Sequence, residues 1–191
     1  MAKQKPAPDY ELVVAKLKYL YNVFRSAGLE RKYYAARLTR HTNTLWTLEL
    51  ILAVGTSSAV AGWGSWKVAD GPELLWSFLG GLCTLIAVTK PVFRFPDQIQ
   101  KYSKLWGGLN DFYFDVSALV DQVATTHQYT PEMEKRLKAA EDRVRKLSSL
   151  YDPSPSQKFR LKCQNEVEKE IPVDTLWLPS PPKSPEEEEK K

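Results

Sequence analysis

The sequence predicts an all-α membrane protein: a two-helix transmembrane hairpin extended by a cytosolic antiparallel helical bundle. Two long apolar runs separated by a short polar turn predict the hairpin. On both sides of the hairpin, apolar residues recur at intervals of three and four, which places them on one face of a helix and predicts the bundle. Basic residues gather on both flanks of the hairpin and predict its orientation.

The two predicted spans differ in length. The first covers about residues 45–66, and at about 1.5 Å per residue it crosses a hydrocarbon core of about 30 Å. The second covers about residues 74–93 and is long enough only if Lys90 snorkels to the headgroups. Aromatic residues at the ends of both runs resemble an interfacial belt. A hairpin buried inside a soluble bundle is the alternative, but neither run carries the polar stripe that a soluble helix keeps.

The flanking charge predicts that both termini are cytoplasmic. Several Lys and Arg residues precede the first span and follow the second, whereas the connecting loop has one lysine against Asp70 and Glu73. Positive charge stays on the cytoplasmic side of a membrane protein. We expect no N-terminal signal peptide, because the first apolar run starts some 45 residues into the chain.

Composition and helix signals divide the chain into five parts. Thr130, followed by Pro131, is the predicted N-cap of one bundle helix, and Asp9 is the predicted N-cap of the first. We expect the apolar segment 176–178 to dock on the chain's own bundle, with a motif for another partner as the alternative. The predicted parts are a loose N-terminus (1–8), a cytosolic helix (9–42), the hairpin region (43–95), a cytosolic helical region (96–170) and a Pro-rich, largely disordered tail (171–191).

Three apolar stripes define the predicted bundle helices. Gly28 is expected to bend or break the first helix, and the pair Gly107-Gly108 is expected to allow close helix approach in the second. The stripes are Tyr10, Val13, Leu17, Leu20, Phe24, Ala27, Tyr34 and Leu38, with Arg31 as an exception; Leu105, Leu109, Phe112, Val116, Leu119 and Val123; and Leu137, Ala140, Val144, Leu147 and Tyr151.

Motifs for catalysis, cofactors and metals are missing from the sequence. It has no phosphate-binding glycine loop, no nucleophile elbow and no zinc-type spacing of cysteines, so we predict neither an enzyme nor a catalytic, cofactor-binding or metal site. The net charge of +4 comes largely from the clusters that flank the hairpin. Attraction to anionic lipid explains those clusters, and we predict no nucleic-acid partner.

Small residues mark the predicted contact between the spans. In lipid, helices associate through close backbone approach and interhelical hydrogen bonds, which small side chains permit. The first span carries such residues on the face nearly opposite Glu49, and the second span carries a similar face. The predicted span-packing residues are Gly55, Ser58, Gly62, Ser77, Gly80, Gly81 and Thr84.

Glu49 and Thr56 are the candidate pore-lining or gating residues. They share the face of the first span that the predicted hairpin contact leaves unused. A carboxylate facing lipid is costly, so Glu49 should face another subunit, a lumen or the headgroups. The alternatives are that Glu49 snorkels to the interface or pairs with Arg40 or Lys90, and that Thr56 packs against another helix.

The order of these parts resembles the SLATT family, the SMODS- and SLOG-associating two-transmembrane effector domains. The resemblance covers about residues 10–150: a cytosolic helix, the stretch 33–38 entering the first span, two tightly connected spans, and a helical segment beginning near residues 102–106. It implies a bacterial conflict-system effector that permeabilises the inner membrane when a sensor or nucleotide-signalling partner triggers it. The resemblance does not identify any ligand-binding residue in this chain.

These observations lead to one favoured function and two alternatives. The favoured function is a homo-oligomeric pore in the inner membrane for antiviral defence, because two spans alone cannot enclose a conduit. A non-conducting two-span scaffold that presents a helical platform is the first alternative, and an ion channel is the second. The sequence shows no filter-like motif or broken helix of the kind that selective channels and transporters use.

Overall fold

The computed structural model describes residues 8–62, 80–88, 94–173 and 176–180, with the side chains of the first helix described over 10–55. Residues 80–88 are also helical, and the described residues contain no β-strand. The predicted all-α class is confirmed. The helices are α1 (Pro8–Gly62), α2 (Phe95–Thr126), α3 (Pro131–Arg145) and α4 (Gln157–Glu170), with a 3₁₀ turn at Ser148–Leu150.

The chain forms two compact units. The first, unit 1, contains the residues up to Tyr34 together with those from Leu105 onward. The second, unit 2, contains the residues from Ala35 to Lys104. Because α1 and α2 each contribute to both units, the boundary between units falls inside helices and not in a linker.

Unit 1 is a helical bundle whose core comes from the predicted stripes. The first part of α1 packs antiparallel to α2, with the rings of Phe24 and Tyr113 stacked 5.2 Å apart. All six predicted α2 positions are buried, and so are the α1 positions from Leu17 to Ala27. Periodic apolar spacing therefore predicted this core correctly, because burial on a helix follows its 3.6-residue period. The buried cluster is Leu17, Leu20, Tyr21, Phe24, Ala27, Phe112, Val116, Leu119, Val120, Val123, Met133, Leu137 and Ala140.

The helix start at Thr130-Pro131 is also confirmed. The Thr130 hydroxyl accepts a hydrogen bond from the Met133 N–H, which would otherwise lack a partner in the first turn. Pro131 occupies the first helical position, where its missing N–H costs no hydrogen bond. The residue types at positions 130 and 131 were therefore sufficient to predict where α3 begins.

Three local predictions need correction. Asp9 is not an N-cap, since Pro8 and Asp9 both already lie within α1. Gly28 does not break the helix, because α1 continues through it; a Cβ there would lie 3.5 Å from the Tyr113 ring, so the glycine sits at a helix contact. The third stripe, predicted as one helix to Tyr151, ends as a helix at Arg145 and continues as a 3₁₀ turn.

The glycine pair in α2 is used at one of its two positions. A Cβ on Gly108 would collide with the side chain of Leu147, whereas the corresponding position at Gly107 faces open space. A close approach therefore occurs at Gly108, although to the segment after α3 and not to another helix. Leu147 lies in the segment just after α3, so this glycine lets that segment pack directly on α2.

The predicted hairpin is described only in part. Within the described ranges, no helix combines the length and the apolar composition that a membrane crossing requires. The predicted loop (67–73) and the parts of the predicted spans at 63–66, 74–79 and 89–93 lie outside the described residues, as do residues 181–191 of the predicted disordered tail.

Candidate functional site

Unit 2 carries an exposed apolar row on α1. Trp46, Leu50 and Val54 follow one another at intervals of four and therefore lie on one helical face. Their exposed fractions are 65%, 47% and 56%. On the helical stretch 80–88, Leu85 and Val88 are also exposed. In unit 1 most positions of the apolar stripes of α1 and α2 are buried, whereas this row of unit 2 is exposed. An exposed apolar row is one mark of an interaction surface.

Glu49 lies beside this row on α1. Its side chain is exposed, and it stands three residues after Trp46 and one before Leu50. Glu49 therefore places a carboxylate next to large apolar side chains, and transfer of that carboxylate into lipid would be costly in free energy. The other candidate pore residue, Thr56, lies within α1, but its side chain falls outside the described residues.

The predicted span-packing residues divide into three groups. Gly55 lies at a close helix approach, because a Cβ at this position would collide with the Cys83 sulfur. Gly80 and Gly81 have no atom of the described residues within 4 Å of their Cβ positions, and Thr84 donates its hydroxyl to the Gly80 carbonyl at 2.9 Å. The side chains of Ser58 and Ser77 and the surroundings of Gly62 lie outside what the structure describes.

Around the start of the first predicted span, three threonines of α1 have hydroxyls that are hydrogen-bonded within the helix. Thr39, Thr44 and Thr47 each donate to the backbone carbonyl four residues earlier, at 2.8–3.0 Å. A hydroxyl bonded within its own helix needs no outside partner, so it can leave water at lower cost. Arg40 and Asn43 line the same surface depression as these threonines.

An aromatic stack joins α1 and α2 within unit 2. The His41 ring stacks on the Tyr102 ring at 5.1 Å and 24°, and Tyr102 is buried. Phe95 lies 6.5 Å from the same imidazole. Sequence reasoning missed this contact, which joins residues about 60 positions apart and leaves no local signal.

A segment near the C-terminus docks on unit 1, as predicted. Leu176 and Trp177 pack against the buried cluster. We call residues 176–180 the strap. Tyr21 Oη donates a 2.6 Å hydrogen bond to the Trp177 carbonyl, and Tyr10 Oη donates a 3.1 Å hydrogen bond to the Pro179 carbonyl. The predicted disordered tail therefore has an ordered beginning.

The strap also contacts the end of α2. His127, which follows the last residue of α2 and has a left-handed φ of 52°, lies with its ring 5.0 Å from the Trp177 ring. Sequence reasoning missed the polar role of Tyr10 and Tyr21. The available signal was residue type: Tyr10 stands at a stripe position and Tyr21 directly follows one, and the hydroxyl of a buried tyrosine normally finds a partner.

Two further tyrosines hold the connection between α3 and α4. Tyr34 Oη accepts the Asp152 N–H, and Tyr33 Oη accepts the Ser156 N–H, both at 3.2 Å. They line a cavity of about 200 Å³ together with Tyr151 and the Glu30–Arg160 ion pair, whose N···O distance is 2.6 Å.

Burial controls the ionisation of this cluster. Desolvation raises the pKa of Tyr34 and raises the pKa of Tyr151 to about 12. It also raises the pKa of Glu30, against the opposing effect of Arg160. Tyr34 is hydrogen-bonded, Glu30 is ion-paired, and the Tyr151 ring packs against the Tyr34 ring at 5.5 Å, so these groups have structural roles. Among the described residues, no three His, Cys, Asp or Glu side chains come together as metal ligands would.

Arg31, the exception in the first stripe, has a packing role. Its guanidinium carbon lies 3.9 Å from the centroid of the Tyr113 ring, which is the geometry of a cation–π contact. The charged group thus covers the aromatic side of α2 where an apolar residue was expected. Arg31 therefore contributes to the contact between α1 and α2 through a cation–π interaction in place of apolar packing.

Comparisons with known proteins add no further constraint. No protein-family model matches the chain, and no significant match is found among curated proteins or solved structures.

Proposed function

We propose that the chain is an oligomeric inner-membrane effector that permeabilises the membrane as a triggered pore in a bacterial conflict or antiviral defence system. The region from Leu45 to Phe93 would be a transmembrane hairpin with both termini cytoplasmic. The observation that supports this most is the exposed row of Trp46, Leu50 and Val54. Apolar rows of this kind mark surfaces that lipid or protein covers.

Several subunits are needed, because two spans cannot enclose a conduit. Glu49 lies beside the exposed row, and placing its carboxylate against lipid would be costly. In the assembled pore, Glu49 and Thr56 line or gate the opening. The close approach at Gly55 and Cys83 supports a tightly packed helix pair in each subunit. Unit 1 receives the trigger from a sensor or nucleotide-signalling partner.

Reconstitution into dye-loaded vesicles tests the proposal. Dye release should rise more steeply than linearly with the number of chains per vesicle, since assembly follows mass action. The variant Glu49→Leu should change or abolish release. Glu11→Leu is the matched control, because Glu11 is also an exposed glutamate on α1 but belongs to unit 1. Inserted chain that releases no dye at any density would contradict the proposal.

A non-conducting membrane scaffold is the second candidate. It is favoured by unit 1, which has a buried core of its own and yet exposes Phe114 and Leu161 by 58% and 59%. Such residues suit a platform for other proteins. Insertion without dye release, unaffected by Glu49→Leu, would support the scaffold. Release restricted to ions of one charge would support the third possibility, an ion channel.

A further inference from the structure

We propose that the groove formed by Tyr10, Tyr21 and His127 is a binding site for short extended peptides that carry a tryptophan two residues before a proline. The chain's own strap occupies this groove and acts as a removable plug. The ligand is a segment of the same chemistry on a partner protein. The inference concerns unit 1 alone and holds whether or not the chain conducts.

The two tyrosines recognise the peptide backbone. They lie eleven residues apart on α1, which at 3.6 residues per turn places them about 20° apart on one face. Their hydroxyls donate to the carbonyls of Trp177 and Pro179, two residues apart in the strap. In an extended chain, residues two apart face the same side, so one row of donors can engage both. The strap runs antiparallel to α1, because its earlier residue contacts the later tyrosine.

The tryptophan supplies selectivity. Carbonyl groups are common to every peptide, so the hydrogen bonds fix the path of the backbone but not the sequence. The Trp177 side chain packs against the buried cluster and lies beside the His127 ring. A large aromatic side chain in such a position is the usual anchor of a peptide interface. A peptide lacking it should bind far more weakly.

Proline fits the remaining part of the groove. Pro179 has a fixed φ and no N–H to satisfy, so a segment that contains it is extended at low entropic cost. From Trp177 onward exposure alternates along the strap: Trp177 and Pro179 are half-buried, whereas Leu178 and Ser180 are exposed. This alternation is typical of an extended ligand lying on a surface, with every second side chain turned inward.

The strap is held as a tethered ligand. It belongs to no helix, and residues 171–175 connect it to the end of α4. A tether this short gives the strap an effective concentration in the millimolar range. A partner's peptide therefore gains access when the strap is weakened, and the wild-type groove is largely closed to it.

Binding of a labelled synthetic peptide with the sequence of residues 171–180 tests the proposal. The full-length variant Trp177→Ala, whose own strap is weakened, should bind this peptide at least about tenfold more tightly than the wild-type chain does. Fluorescence anisotropy measures both affinities. A second release variant, Leu176→Asp, changes only the strap and should behave in the same way, which guards against a folding defect specific to one substitution.

Two controls distinguish specific recognition of the tryptophan from nonspecific binding of the peptide. Leu178→Ala alters an exposed strap residue and should leave the chain as closed as the wild type. A peptide in which alanine replaces the tryptophan should lose at least about tenfold in affinity for either release variant. Equal binding by wild type and both release variants, or no binding by release variants with wild-type helical content, would overturn the proposal.

Discussion

Leu147 lies over Gly108 so closely that a Cβ at position 108 would collide with its side chain. The neighbouring Gly107, one residue earlier on α2, has open space at the same position. The two glycines thus form a natural matched pair. Gly108 allows the contact with Leu147, whereas Gly107 lowers the helical propensity of α2 and makes no close contact among the described residues.

Substituting the pair separates these roles. Gly107→Ala should stabilise the chain by about 0.5–1 kcal/mol, the usual gain of alanine over glycine within a helix. Gly108→Ala should show less gain or a loss, because Leu147 must move aside. Thermal unfolding monitored by circular dichroism measures both. Combining Gly108→Ala with Leu147→Ala should remove the collision, and equal effects of the two single substitutions would refute the assigned contact.

The core of unit 1 predicts a large effect at Leu20. The Leu20 side chain projects from α1 into the buried cluster and is fully buried. Leu20→Ala should therefore lower the free energy of unfolding by about 2–5 kcal/mol. Leu12→Ala is the control on the same helix, because Leu12 is 55% exposed and should cost under about 0.5 kcal/mol. Denaturant unfolding measures both, and similar losses at the two positions would contradict the assigned core.

Alkaline pH should destabilise unit 1 through Tyr151. Burial raises the pKa of its hydroxyl from 10.0 to about 12, so the unfolded chain releases this proton at lower pH than the folded chain does. The stabilising contribution is fully present below pH 10.0 and is lost as the pH rises towards about 12. Unfolding curves across this window, compared with those of Tyr151→Phe, measure the effect. If the free energy of unfolding of Tyr151→Phe falls with pH as steeply as that of the wild type, other groups cause the loss of stability.

The contact between Gly55 and Cys83 can be trapped covalently. A cysteine introduced by Gly55→Cys would place its Cβ against the Cys83 sulfur, so oxidation should form a disulfide within unit 2. Val54→Cys is the control, because Val54 is 56% exposed on the adjacent position of α1. Mass tagging of free thiols under denaturing conditions reports the bond. Rapid crosslinking of the control, or none at position 55, would contradict the helix pairing.

Local patterns predicted much of unit 1, because helix packing repeats with the helix itself. The stripe from Leu105 to Val123 is buried as its spacing indicated, and Thr130 caps α3 as its residue type indicated. Contacts between distant residues were beyond such reasoning. The hydrogen bond from Tyr21 to Trp177 joins residues 156 positions apart, and the cation–π contact of Arg31 with Tyr113 appeared in the sequence only as a break in a pattern.

The candidate site was less predictable than the core. Glu49 and Thr56 were selected because they share a helical face and because a carboxylate in lipid is costly, and the second reason presupposes a membrane that no periodicity encodes. Among the glycines, Gly55 was expected at a close approach and lies at one, but its counterpart, Cys83, was not among the predicted packing residues. A helical wheel shows which residues share a face but not which side chain that face meets.

Extraction of cell membranes with alkaline carbonate tests the central claim, that residues 45–93 lie within the bilayer. We expect the full chain to remain in the membrane pellet. Replacing Leu50 and Val54 in the exposed row by lysine should release it, because each charge near the bilayer centre costs about 2.5–3.5 kcal/mol. A wild-type chain that passes into the carbonate supernatant, and that remains folded and monodisperse in buffer without detergent, would contradict the claim.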